Sequence, residues 1–340
     1  MKRIGIFGRF LAALQLLPAL ESGEETLVGG QAVLEGVMMR SPHAWGIAIR
    51  KSSGELATHC EPLERPSEKH KWMGWPVLRG IVTLGQAMML GFRALRFSAD
   101  VALQEATPKD EKQIEISGWV LGLNLVFSIG FFIFMYKYLP LVATTALQKH
   151  SHALTSNVAF GVVDGVIRIS LFLLFIWGVS RFKDIHRVFE YHGAEHKTVF
   201  AYESGDPVSI SAAQKFSTYH PRCGTSFLMT VMIISMIVFA VVPATTFWTR
   251  FAVRIALLPV IAGVSYELIR FAAKLLRRQY EGGKAPFWRS GLFLFMTRPG
   301  MWLQRITTQP PEDAQVECAI RALDEAMALE KQRGGELVIA

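Results

Sequence analysis

The chain has 340 residues, 51% of them hydrophobic and 19% charged, with a mean hydropathy of +0.29 and a formal net charge of +8. That is too apolar for an ordinary soluble domain and too charged for a chain made only of membrane spans. The positive balance suits contact with anionic lipid headgroups, and no basic–aromatic module points to nucleic acid.

Residues 1–26 imitate a signal peptide, with Lys2, Arg3 and Arg9 ahead of and within an apolar run. Gly5, Gly8, Arg9 and Gln15 interrupt that run and no small-x-small cleavage site follows, so a short interfacial segment is expected. Residues 27–75 read as a small cytoplasmic β element. Segments 45–51 and 56–61 alternate in part and flank Ser52-Ser53-Gly54-Glu55, a hairpin connection. Before them, Gly29, Gly30 and Gly36 surround Glu35 and Arg40. These glycines fit either tight turns between short strands or a backbone approaching a ligand, and match neither a dinucleotide fingerprint nor a P-loop. Cys60, Cys223 and Cys318 are far apart and odd in number, which gives no disulfide framework and implies a reducing setting.

Residues 76–98 are apolar but carry Arg79, Gln86, Arg93 and Arg96, which predicts an amphipathic interfacial or re-entrant helix. Four later stretches, 118–139, 157–180, 226–248 and 251–273, are long and apolar enough to cross a bilayer at roughly 20 residues each. Asp164 and Arg168, one helical turn apart in the second stretch, form either an ion pair facing the bundle interior or part of a proton or substrate path. In the C-terminal region 274–340, residues 287–303 set Trp288, Arg289, Arg298 and Trp302 around a short apolar centre. Pro310-Pro311-Glu312-Asp313 then opens an amphipathic helix with Val316, Ile320, Leu323 and Met327 on one stripe. The fold class is therefore mainly α: a polytopic helical membrane bundle of about four spans over 118–273, plus interfacial helices, a small N-terminal β element and a C-terminal amphipathic helix. Basic residues concentrate in loop 181–225 and after residue 273, whereas the connection 140–156 offers only Lys149. The positive-inside rule puts that loop and both termini in the cytoplasm.

The chemistry concentrates in that loop. His192-Gly193-Ala194-Glu195-His196 reads H-x-x-E-H, an inverted zinc-protease signature. On a helix His192 and His196 share one face, the spacing that lets both grip one ion, and Glu195 flanks it as a candidate general base. His220-Pro221-Arg222-Cys223 adds two more donors and a cation, Arg222, able to stabilise an oxyanion. Glu267, inside the fourth stretch, is either a distant metal ligand or the ion-pair partner of Arg254 or Arg270. Glu35 and Arg40 reach the site if their segment folds beneath the bundle, and Glu190 and Asp206 are candidates to orient the histidines.

At three of these motifs the chain resembles the YqhQ-like family of bacterial membrane proteins: Gly29 to Arg40, Glu190 to Lys197 and His220 to Phe227, within a match running from about residue 27 to 329. The resemblance implies a bacterial cytoplasmic membrane and a metal-dependent site, and supplies no substrate. Three readings remain open. The first is a zinc-dependent hydrolase with Glu195 and Arg222 catalytic and His192, His196, His220, Cys223 and Glu267 as candidate ligands, acting on a membrane-associated peptide or lipid-derived substrate. The second is a scaffold or assembly factor whose metal is closed in by His192, His196, His220 and Cys223. The third is a small transporter using Asp164, Arg168 and Glu267. The expected partners are the bilayer, anionic headgroups, and a membrane protein or a second copy of the chain.

Overall fold

The computed structural model describes residues 28–64, 70–106, 118–205, 207–220, 223–242, 246–280 and 298–332. The interfacial segment expected at 1–26 and the tryptophan–arginine run at 288–289 lie outside these residues, as do Asp206 and Arg222.

Four strands, β1 (Gly29–Val33), β2 (Gly36–Arg40), β3 (Ala44–Arg50) and β4 (Leu56–Pro62), form an antiparallel meander in sequence order. The glycine-rich segment is thus a hairpin, with Val33 opposite Gly36 and Glu35 at φ 54° in the turn. The expected 52–55 connection is also present: Lys51 N–H donates to the Glu55 carbonyl at 2.9 Å, and Gly54 takes φ 87°. The sheet is covered on both faces, which is why β2 shows no hydrophobic alternation. Val37, Met39 and Ala48 point to one face and meet Tyr191, Ala194, Ala319 and Leu323. Met38, Trp45, Ile47 and Ile49 point to the other and meet Leu90, Ala94 and Val101.

The second cover is α1 (Leu78–Ala106), one helix of 29 residues that outruns the expected 76–98. Its buried flank packs on the sheet, while Met88, Met89, Phe92 and Leu95 form an exposed apolar flank suited to a lipid surface. Its first turn packs against the later helix Leu258–Tyr280.

Among the described residues three helices are long and apolar enough to cross a membrane, or four if a bent pair counts as one. The first departs from the expected 118–139. α2 (Gly118–Ile133) continues through a π-turn, Phe134–Tyr138, into α3 (Leu139–Gln148). Pro140 has no N–H to give the preceding turn, and the helix widens there instead of stopping. The second apolar helix, α4 (Asn157–Val179), is where the sequence expects it. Then come α5 (Lys183–Glu203), the single turn α6 (Ile210–Ala213) and the third apolar helix, α7 (Gly224–Val241), shorter than the expected 226–248. The expected unbroken helix over 251–273 is instead α8 (Phe247–Ala256) followed by α9 (Leu258–Tyr280), bent by 47°. Pro259, in the first turn of α9, removes a backbone donor at the bend. Residues 298–307 are helical (α10), and α11 (Asp313–Gln332) closes the fold.

α11 lies across β2, β3 and β4 and against α5, with Val316, Leu323 and Met327 of the expected stripe buried and Ile320 partly so. α5 is therefore held between the sheet and α11 directly beside the bundle. Inside the bundle, Asp164 accepts from Arg168 as expected and also from Arg254 at 2.7 Å. Arg254 is thereby engaged away from Glu267.

Candidate metal centre

α5 has too little hydrophobicity to be a span, and its order comes from what surrounds it. Tyr191 and Ala194 fill the sheet-side core, and the opposite flank meets residues 307–309. Two glycines permit these approaches. A Cβ on Gly193 would overlap the Gln309 carbonyl oxygen, and a Cβ on Gly30 of β1 would lie 2.8 Å from Glu195 Cγ. The glycine motif of β1 is thus a close-approach surface for the H-x-x-E-H helix, as well as a hairpin.

Both histidines are aimed by main-chain acceptors. His192 Nδ1 donates to the Thr307 carbonyl at 2.8 Å, and His196 Nδ1 donates to the Thr218 carbonyl. A carbonyl only accepts, so each Nδ1 carries a proton, which leaves Nε2 as the nitrogen whose lone pair a neutral imidazole would present. The two rings sit 4.4 Å apart between centroids. Cys223, the N-cap of α7, brings Sγ to 3.3 Å from His192 Nε2. His192, His196 and Cys223 have donor atoms all within 4.8 Å of one another. Ligands around tetrahedral zinc stand about 3.3–3.6 Å apart, given Zn–N near 2.0–2.1 Å and Zn–S near 2.3 Å, so only a small contraction is needed. His196 Nε2 is buried and has no hydrogen-bond partner among the described residues, which is costly unless the atom serves another acceptor of its lone pair. The donor set, two imidazoles and a thiol, fits zinc.

Glu195 lies beside this trio. Its Oε2 is 3.9 Å from His192 Nε2 and 3.7 Å from His196 Nε2, with the side chain 8% exposed. It is near enough to exchange a proton with a group held by the trio, and too far to hydrogen-bond either ring.

The other expected site residues are sorted by the structure. His220 does not join the trio: its Nε2 faces Glu203 Oε2 at 3.5 Å and its ring packs on Phe200, 4.4 Å between centroids. Burial pushes the His220 imidazole down to about 4, against an opposing pull from Glu195, so it is neutral at pH 7. Its backbone is clasped by Gln304, which accepts from His220 N–H and donates to the His220 carbonyl, each at 2.8 Å. Glu267 lies elsewhere: it accepts from Arg79 Nε at 2.7 Å and Nη2 at 2.5 Å, and from Val77 N–H at 3.3 Å, with the charge of Arg270 also acting on it. Neither side chain was distinguishable as a partner by spacing, since 188 residues separate them. Glu190 accepts from Gln315 at 2.7 Å, not from the histidines. Glu35 accepts from Arg187 and, at 3.2 Å, from Tyr191, which ties the hairpin turn to α5 one turn before His192. Arg40 ends β2 opposite Gly29 and Trp45. Arg222, adjacent to Cys223, is outside the described residues. The sequence reading missed Thr218, Thr307 and Gln304. The first two act through carbonyl oxygens, which any residue supplies, so no side-chain signal marked them.

A family model described as Protein of unknown function (DUF1385) matches residues 75–329. The Uncharacterized protein YqhQ of Bacillus subtilis (strain 168) is 33% identical over 308 residues, spanning 89% of this chain and 92% of that protein. No solved structure matches the chain.

Proposed function

The chain belongs to the DUF1385 family, and from the geometry of its His–Cys centre we propose that it is a membrane-bound, zinc-dependent hydrolase. The observation that carries this reading is the number of converging donors. His192, His196 and Cys223 make three, and with His220 turned toward Glu203 these three residues would hold the ion without a fourth protein ligand from the described residues. Three protein ligands with a fourth site free is the pattern of catalytic zinc, and four is that of structural zinc. Zinc bound there supplies Lewis acidity, bringing the pKa of water near 7.

The chain's own residues then have defined tasks. The Thr307 and Thr218 carbonyls take the Nδ1 protons, so the Nε2 atoms are the ones that would hold the ion. Glu195 Oε2, less than 4 Å from both Nε2 atoms, takes the proton of the attacking water and returns it to the leaving group. Gly30 and the Glu35–Arg187 and Glu35–Tyr191 contacts hold α5 in register on the sheet. Arg222, next to Cys223 in sequence, is assigned the developing oxyanion. The basic residues of loop 181–225 and the neighbouring apolar helices support a cytoplasmic-membrane location with the centre on the cytoplasmic side. That favours a peptide or lipid-derived substrate presented at an anionic membrane surface.

Metal analysis of the purified full-length protein tests this, alongside complementation of a strain lacking its own copy. Glu195→Gln keeps the metal and fails to complement. His196→Ala and Cys223→Ala lose the metal, whereas His220→Ala keeps it. Loss of metal in His220→Ala with full complementation by Glu195→Gln would establish a closed structural site and a scaffold. Metal in no preparation removes both readings.

A further inference from the structure

A second site lies at the far end of α7 from Cys223. Phe239 is 16 residues further along that helix, about 24 Å at 1.5 Å per residue. Around Phe239 stand three cations: Lys137 Nζ at 5.4 Å from the ring centroid, and the Arg168 and Arg254 guanidinium carbons at 5.2 and 5.4 Å. All are buried, at 8%, 2% and 3% exposure. Among the described residues, Asp164 is the one carboxylate paired with them, bonded to both arginines. Three basic side chains thus stand around one carboxylate inside an apolar bundle. Lys137 has no hydrogen-bond acceptor among the described residues, and Arg168 Nε is buried without one. An isolated buried charge costs several kcal/mol. Helix pairing alone does not explain why three cations are kept around one acid.

Two members of the cluster, Phe239 and Arg254, also line a cleft. Between α4, the end of α7 and α8 this cleft holds about 310 Å³ of empty space, including its open mouth. Asn157, Arg250 and Arg254 give it a polar side, and Phe160, Phe239 and Val242 an apolar one. Arg250, stacked 3.8 Å over the Phe160 ring, brings another cation to the mouth.

We propose that this cleft binds a phosphate monoester group, carried by a lipid headgroup or present as free phosphate. Such a group bears about −1.5 to −2 near pH 7, opposite in sign to the excess of basic side chains, and its oxygens suit guanidinium and ammonium donors. The site is independent of the His–Cys centre.

Thermal unfolding of the full-length protein in dodecyl maltoside tests the proposal, with chelator present so that no metal at the His–Cys centre contributes. One arm titrates inorganic phosphate. The other adds dioleoyl phosphatidic acid to the micelles, with dioleoyl phosphatidylcholine as control. A saturable rise in the midpoint with both phosphate and phosphatidic acid supports a site that needs only the anion. A rise with phosphatidic acid alone supports a lipid-borne group. Lys137→Met raises the ligand-free midpoint, because it removes an unpaired buried cation, yet weakens the apparent affinity at least tenfold. Arg250→Gln weakens it as well, with the ligand-free midpoint little changed. His192→Ala binds as the unaltered protein does. No saturable shift with either probe, or equal shifts in Lys137→Met and Arg250→Gln, overturns the proposal.

Discussion

Replacing Gly193 with alanine tests how the histidines are aimed. In an unencumbered helix the change stabilises by about 1 kcal/mol, since glycine is the poorer helix former. At Gly193 the added methyl would overlap the Gln309 carbonyl oxygen and come within 3.3 Å of Thr218 Cγ2. The obstacle is main chain and cannot rotate away, so the 307–309 segment must retreat. Its retreat breaks the bond from Gln309 N–H to the Phe189 carbonyl, 2.9 Å long, worth about 1 kcal/mol. The misfit adds about 1–3 kcal/mol. With the hydrogen bond from His192 to Thr307 also strained, the net loss is about 2–4 kcal/mol. His192 then loses the acceptor that fixes its tautomer, which lowers zinc affinity about 10–100-fold although all three ligands remain. Thermal unfolding followed by circular dichroism reads the first effect, and competition with a fluorescent zinc chelator reads the second. Gly178→Ala is the control, because a Cβ there meets nothing within 4 Å. If Gly193→Ala unfolds no earlier than the control and holds zinc as tightly, the close approach of residues 307–309 to α5 is wrong.

Two further outcomes follow from the ion pairs. Glu267→Gln leaves Arg79, whose side chain is 7% exposed, without its carboxylate and costs about 3–5 kcal/mol, while Arg79→Met combined with Glu267→Met recovers most of that. Zinc content stays unchanged in both, and loss of zinc from a folded Glu267→Gln protein would make Glu267 a ligand after all. Glu330, on α11, is pulled upward by burial but held below the usual carboxylate range by hydrogen bonds from Ser41 Oγ at 2.7 Å and from the His43 backbone and ring, each at 2.8 Å. Its folded value is therefore below its unfolded one, so its contribution is complete above about pH 4.3 and lost as pH falls through the folded value. Glu330→Gln flattens the acid limb of the unfolding midpoint against pH, and an unchanged limb refutes this role.

The parts of the molecule legible in sequence are those governed by short-range spacing. The four-residue interval from His192 to His196 defines one helix face, Asp164 to Arg168 defines an ion pair, and Ser52 to Glu55 defines a hairpin. Each is confirmed by contacts within its own element. Reading failed where orientation or distant partners decide. His220 and Cys223 are near neighbours in sequence and both good donors. Only the cap position of Cys223 at α7, and the packing of His220 on Phe200, separate a ligand candidate from a buried neighbour. Pro140 reads as a stop, yet a π-turn absorbs it; Pro259 sits within an apolar run, yet the helix bends there. Arg79 and Glu267 found each other across most of the chain, which no local pattern encodes.

The cover that α11 lays over the sheet has a consequence for biogenesis. β4 ends at Pro62 and α11 begins at Asp313, so about 250 residues are translated between a sheet and the helix that closes one of its faces. At 5–20 residues per second the nascent strands wait roughly ten to fifty seconds while the intervening helices enter the bilayer. During that interval Val37, Met39 and Ala48 have no partner from the C-terminal helix, and the Thr307 carbonyl that aims His192 has not been made. One face of the sheet therefore stays incompletely covered until α11 is made, and the contact that orients His192 forms only as synthesis nears its end.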